Sequence, residues 1–175
     1  MDDLTRFALA ARDGDQVAMA AFVRTSQPEV WRLCARLGDR ADADDLTQEV
    51  YLRALPALDR FRGDASARTW ILRIARNTCA DHVRSRVRRR SLLERLRPDD
   101  RDELGPDPAG GVELDRLVAA LDVDRREVFV LTQLLGCSYQ EAAEIVGVPV
   151  GTVRSRVARA RGDLLDALAA AEATG

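Results

Sequence analysis

Several things are scarce in this chain of 175 residues. Lysine is absent, so all 27 basic residues are arginine, an abundance read here as the mark of a GC-rich coding sequence. Aromatic residues make up only 5% and there is one histidine, His82. The cysteines are Cys34, Cys79 and Cys137, far apart, odd in number and never in a CxxC pair. That spacing argues against a disulfide framework or a structural zinc and for a reduced, cytoplasmic protein with small core thiols. No run of 18 apolar residues exists and acids are scattered through residues 1–25. Neither a membrane span nor a secretory signal is expected. Strand signals are missing too: there is no sustained apolar–polar alternation and no Asn-Gly or Asp-Gly hairpin turn between β-branched runs.

What is present is helix and segregated charge. The pattern predicts helices near 3–12, 15–25, 27–38, 42–56, 66–90, 112–121, 124–135, 139–146 and 150–169. A stretch rich in Pro, Gly and Asp, Pro98 to Gly111, interrupts them. The expected fold is all-α: two small helical domains, residues 1–95 and 112–170, joined by a flexible acidic linker at 96–111. The formal net charge of −2 conceals the distribution. Residues 59–90 carry ten arginines against Asp59, Asp64 and Asp81, and residues 149–161 carry Arg154, Arg156, Arg159 and Arg161 with no acid. Between them, residues 99–124 carry nine acids against Arg101 and Arg116. Two cationic blocks around an anionic connector suit two polyanion-binding surfaces, or equally two solvated arginine-rich helix faces.

The C-terminal block reads as a helix-turn-helix. Ser138 and Glu141 have capping-box spacing, Gly147 supplies a turn, and Pro149 stands where a second helix begins. On that helix Val153, Val157, Ala160, Leu164 and Leu168 form the core stripe. Thr152, Ser155, Ala158 and Arg159 lie opposite, flanked by Arg154 and Arg156. A narrow polar and basic face of this kind fits the major groove, where Arg bonds guanine or phosphate and Ser or Thr bonds either. A solvated helical hairpin is the bland alternative.

The string SYQEAAEIVGVPVGTVRSRVARAR resembles the promoter −35-binding helix-turn-helix of bacterial RNA polymerase sigma factors of the extracytoplasmic-function group. The resemblance implies that Arg154, Ser155 and Arg159 meet the −35 element, with Thr152, Arg156 and Arg161 nearer the phosphates.

Upstream, in DRFRGDASARTW, Gly63 allows a turn and Asp64 or Ser66 can cap the next helix. Its inner stripe is Ile71, Ala75, Thr78 and His82, with Leu72 and Cys79 beside it, so His82 is expected in the core. Trp70, Arg73, Asn77 and Arg84 share the other side. That set suits single-stranded DNA through stacking, phosphate neutralisation and base-edge bonds. Packing of Trp70 on the preceding helix is the competing reading. FRGDASARTWILRIARNTCADHVR is similar to the segment of these sigma factors that melts and reads the −10 element. By that match Phe61, Arg62, Gly63, Asp64 and Ser66 form a pocket for a flipped base, and Trp70, Arg73, Asn77 and Arg84 line the strand path. Arg86, Arg88, Arg89 and Arg90 are expected on backbone phosphate.

In ADADDLTQEVYLRALPAL, residues 41–58, Asp45, Gln48, Glu49 and Leu52 share a face with Arg53 alongside, while Leu46, Val50, Leu55 and Leu58 can pack inward. Asp44 and Asp45 favour the helix dipole, and a mixed acidic and apolar face also suits a basic protein surface. DDLTQEVYLRAL resembles the family's contact with the clamp coiled coil of the largest polymerase subunit. The resemblance further implies a flap contact by the C-terminal domain, a linker that threads the polymerase cleft, and the possibility of an anti-sigma partner. It covers about residues 4 to 168, leaving no room for the middle domain or acidic extension of larger relatives and only a short frayed tail. No catalytic residue, metal site or cofactor is expected: the sequence has no Walker loop, no nucleophile paired with a base and no metal-ligand cluster. A helix-turn-helix regulator that binds duplex DNA as a dimer is the alternative of a different class.

Overall fold

A computed structural model describes residues 1–96 and 113–173. The acidic linker expected at 96–111 therefore lies, but for Leu96, outside the described residues. The order is α1 (Asp3–Arg12), α2 (Gln16–Leu37), α3 (Ala43–Ala57), a short 3₁₀ turn (Leu58–Arg60), α4 (Ala67–Leu96), α5 (Glu113–Ala120), α6 (Val123–Phe129), a π-helical turn (Val130–Leu134), α7 (Tyr139–Val146) and α8 (Val150–Glu172). Among the described residues there is no strand, as expected of an all-α chain.

In the first group α1, α2, α3 and α4 pack together. Asp2 caps α1, accepting from the Thr5 amide at 2.8 Å and from the Thr5 hydroxyl at 2.7 Å. The same Thr5 oxygen accepts the Ala67 amide at 2.9 Å, so the cap of α1 also fixes the first turn of α4. Asp15 caps α2. Phe22, Val30, Leu33, Val50, Leu58, Ile71 and Leu72 form the buried centre. Removing that much apolar surface from water, about 25 cal/mol per Å², holds the bundle together.

The sequence reading divides α2 near residue 26, whereas α2 runs unbroken through Pro28. A proline inside a helix leaves a carbonyl without its donor. For Pro28 that carbonyl is Arg24 O; the helix continues because Val30, Leu33 and Cys34 beyond it are buried and because Ser26, just before it, is tied to α3, its Oγ 2.7 Å from Tyr51 Oη. Four inward assignments also shift. Leu55 is half-buried while Tyr51 and Ala54 are buried. Leu168 is exposed, because α8 outruns its partners after Leu164. On the helix at 139–146, Ala142, Ala143 and Val146 are the residues expected to pack closely; Ile145 is buried with the two alanines, and Val146 is only half so. His82 is half-exposed, its Nε2 3.0 Å from Asp42 Oδ2 at the start of α3.

In the second group α6 and α7 pack on α8 over Val128, Leu131, Val153, Val157 and Ala160. The capping box forms as expected. Ser138 Oγ accepts the Glu141 amide at 3.1 Å and Glu141 accepts the Ser138 amide at 2.7 Å. Gly147 takes φ +78°, the left-handed region that lets α7 end and α8 start at a sharp angle. The helix expected at 124–135 becomes α6 plus the π turn, which then closes through Leu135 N–H to Val130 O.

The two groups touch. α7 packs along α4 and α5 against α2, and the buried apolar side chains form one continuous cluster. Three arginines of the first group reach carboxylates of the second. Arg76 meets Glu127 through two bonds of 2.9 and 2.8 Å, and Arg36 meets Asp115 at 2.7 Å. Arg68 donates to Leu135 O at 2.6 Å, with Glu141 3.6 Å away.

Candidate nucleic-acid and protein interfaces

The loop before α4 is held by α1. Arg12 donates to the Phe61 carbonyl at 3.2 Å, and the Leu9 methyls lie 3.7–3.8 Å from where a Cβ on Gly63 would stand. Gly63 has φ +78°, so the turn favours glycine there. Arg62, Gly63 and Asp64 are exposed. Ser66 caps α4 by accepting the Thr69 amide at 3.1 Å, a task the sequence leaves open between Ser66 and Asp64.

Phe61, expected in a base pocket, is instead buried at 4% exposure. Its ring centroid is 5.2 Å from that of Trp70, and Phe22 of α2 lies 6.3 Å from Trp70 on the other side. Trp70 is thus half-buried in an aromatic trio and is not laid open along the helix as its wheel position predicts. Arg73, Asn77 and Arg84 are exposed along α4, Arg84 bonded to Asp81 at 2.5 Å. Farther on, Arg86 bonds Asp39 at 2.9 Å, which holds the Asp39 carboxyl below its ordinary range, and Arg88, Arg89 and Arg90 are exposed.

On α8, Arg154, Ser155, Arg159 and Arg161 are exposed and Thr152 is half-buried at the first turn. Arg156 is half-buried and ion-paired with Asp124 of α6. Arg161 donates to Gln133 Oε1 at 2.7 Å. The expected face is therefore brought together, with two of its arginines already engaged within the second group.

Asp45, Gln48 and Leu52 are exposed on α3, Leu52 to 64%, and Glu49 is half-buried beside them. Arg53 donates twice, to Glu49 Oε1 at 2.8 Å and to Asp81 Oδ2 at 2.9 Å, so it ties α3 to α4. Glu49, foremost, and Asp81 push the Arg53 guanidinium further toward its charged form, and Arg53 with Arg84 depresses the Asp81 carboxyl. Between the helices lies a cleft of about 490 Å³ in whose lining four carboxylates, Asp42, Asp45, Glu49 and Asp81, outnumber the two guanidinium groups of Arg53 and Arg88. An apolar side chain on the rim of an anionic cleft is a surface for a cationic protein segment.

The sequence reading missed the pairs that join the groups. Arg76 and Glu127 are 51 positions apart, and no local spacing announces such a contact. A buried glutamate, at 5% exposure, is a signal that only the fold reveals.

Comparison with known proteins agrees with both halves. The family model for sigma-70 region 2 matches residues 22–89, and that for sigma-70 region 4 matches residues 111–164. The probable RNA polymerase sigma-C factor of Mycobacterium bovis is 48% identical over 167 residues, covering 93% of this chain and 89% of that protein. The ECF RNA polymerase sigma-E factor of Escherichia coli is 36% identical over 162 residues, covering 85% of each. Among solved structures, CnrH in complex with the cytosolic domain of CnrY aligns at TM-score 0.75 and 30% identity, over 97% of this chain and 99% of that one. The sigma factor RpoE in complex with the anti-sigma factor NepR from Bartonella quintana aligns at TM-score 0.68 and 26% identity, over 86% and 96%.

Proposed function

We propose a residue-level division of labour for this chain, which belongs to the extracytoplasmic-function group of sigma-70 factors, binds core RNA polymerase and directs promoter-specific initiation of transcription. Residues 1–95 act as the region 2 domain, 112–170 as the region 4 domain, and 96–111 as their tether. The α3 face of Asp45, Gln48, Glu49, Leu52 and Arg53 docks on the clamp of the largest subunit, and the second domain meets the flap. Arg62, Gly63, Asp64 and Ser66 receive an extruded base of the −10 element, and Arg73, Asn77 and Arg84 follow the strand. Phe61 and Trp70 serve that site from beneath, as the aromatic floor that holds the loop. Arg154, Ser155 and Arg159 read the −35 duplex, with Thr152, Arg156 and Arg161 on its phosphates.

The observation that carries this reading is the coexistence of two separate exposed cationic faces, on α4 and α8, with an anionic α3 cleft that DNA would avoid. A regulator that reads only duplex DNA has no use for that cleft. The protein works by binding and positioning, with no bond chemistry of its own, in the cytoplasm where its polymerase is. No helix among the described residues is long and apolar enough to cross a membrane. An anti-sigma protein, of the class seen with the Bartonella quintana RpoE, is the further partner of this reading, and we place it in competition for the α3 surface.

Permanganate footprinting of promoter DNA with core polymerase and this protein tests the assignment. Reactive thymines at the −10 position, lost with Asn77→Ala and Arg73→Ala together, are expected. Undiminished reactivity with that double variant would overturn the strand path.

A further inference from the structure

Helix α1 carries none of the residues assigned to the −10 element, yet it touches both ends and the middle of the loop that holds them. Thr5, Leu9 and Arg12 follow one another four and three residues apart, along one stripe of the helix. They meet the loop in reverse order. Thr5 Oγ accepts the Ala67 amide at 2.9 Å, the Leu9 methyls lie under Gly63, and Arg12 donates to the Phe61 carbonyl at 3.2 Å. Each polar anchor is itself held by an aspartate at its own end of α1. Asp2 accepts the Thr5 hydroxyl hydrogen at 2.7 Å, which leaves the lone pairs of that oxygen to Ala67. Asp13 takes Nε and Nη2 of Arg12 at 2.8 and 3.2 Å, which leaves Nη1 for Phe61. The loop has no such support of its own: residues 62–65 make no backbone hydrogen bond among the described residues.

We infer that Thr5 and Arg12 are positioning residues for promoter −10 recognition: they fix the two ends of the 61–67 loop, so that Arg62, Gly63 and Asp64 are set for the extruded base before DNA arrives. Seven residues of helix separate the two anchors by about 10 Å along the axis. The six residues from Phe61 to Ala67 could reach roughly 20 Å if extended. The anchors therefore keep the loop bent. A free loop would lose conformational entropy at the moment of base capture, residue by residue. A loop already ordered by α1 is spared that loss, and more of its interaction with the base appears as selectivity. Thr5 and Arg12 touch no DNA in this account and act only through the loop. The inference rests on the proposed capture of an extruded base by that loop.

The test uses holoenzyme, core polymerase with the full chain, on forked DNA from a promoter at which it initiates. An abasic site is moved through the single-stranded −10 positions and affinity is measured at each. With the parent one position should stand out, the abasic site there weakening binding roughly tenfold, as loss of one well-held base does. Arg12→Ala, with its helical circular dichroism unchanged, should cut that ratio about fivefold, the worth of one hydrogen bond. Thr5→Val should lower the ratio likewise, and Thr5→Ser, which keeps the hydroxyl, should restore it. A merely structural role would weaken intact and abasic DNA alike and leave the ratio unmoved. The parent's ratio in Arg12→Ala holoenzyme would overturn the inference, and that variant decides alone if Thr5→Val does not fold. If no position stands out even with the parent, the base-capture reading falls and takes this inference with it.

Discussion

The indole of Trp70 and the ring of Phe61 lie 5.2 Å apart, inclined at 49°, and together they floor the loop that carries Arg62, Gly63 and Asp64. Phe61 is nearly inaccessible, so under the proposed −10 role of this loop it acts by holding the loop in place. Phe61→Ala should cost about 3 kcal/mol of stability, as buried aromatic truncations do, and should slow open-complex formation without changing the affinity for −35 duplex. Phe61→Leu should recover most of both. Thermal unfolding and stopped-flow melting kinetics check the two effects; a variant with full stability and lost melting would make Phe61 a direct DNA contact instead.

Glu49 lines the cleft, and Gln48 is exposed beside it on α3. Gln48→Ala with Glu49→Ala should abolish co-purification with core polymerase and leave the helical signal unchanged. Loss of the Glu49 bond to Arg53 is tolerable for the fold because Asp81 still holds that guanidinium. Exposed pairs of this kind are worth well under about 1 kcal/mol, so the expected loss of Tm is small.

Gly38 ends α2 with φ −92°, an ordinary value, but a Cβ there would lie 2.4 Å from Leu46 Cδ1 of α3 and 2.9 Å from the Cys34 carbonyl. Gly38→Ala should therefore displace α3 and lower both stability and polymerase affinity, by about 1–3 kcal/mol in stability as overpacking does. Gly147→Ala meets no atom within 4 Å and pays only for its left-handed φ, about 1 kcal/mol. Paired thermal melts rank the two; a milder effect at Gly38 would contradict the packing argument.

The Glu141 carboxyl sits below its ordinary value of 4.5 because it accepts the Ser138 backbone amide, with the Ser138 hydroxyl and Arg68 adding to the effect. A group depressed on folding contributes stability that is complete above its unfolded value and is lost as pH falls through the folded one. The Glu141 contribution to stability should thus be complete well above about 4.5 and decline below it. Glu141→Gln should lower Tm at pH 7 and reduce the gap between the variant and the parent as pH drops toward 3. A constant gap across that range would mean the capping box carries no charge-dependent stability.

What was legible in the sequence was local. The Ser138–Glu141 box, the Gly147 turn and the Ser66 cap each lie within three residues, and short-range sterics decide them. The exposed faces Arg73–Asn77 and Arg154–Ser155–Arg159 follow from helical period alone. Trp70 escaped the wheel because its neighbours, Phe22 and Phe61, come from α2 and a loop, and a wheel assigns an angle without a partner. His82 was misplaced for the same reason: the start of α3 leaves it a carboxylate, Asp42, at the surface. Pro28 signals a break that tertiary burial overrides. The Arg76–Glu127 pair joins distant segments and has no sequence mark.

Run-off transcription with start-site mapping tests the central claim most directly. Core polymerase with this protein should initiate at one position per responsive promoter, and alanine at Arg154 and Arg159 should weaken initiation at those promoters without moving the start. Starts that are the same with and without the protein on every template would contradict the account.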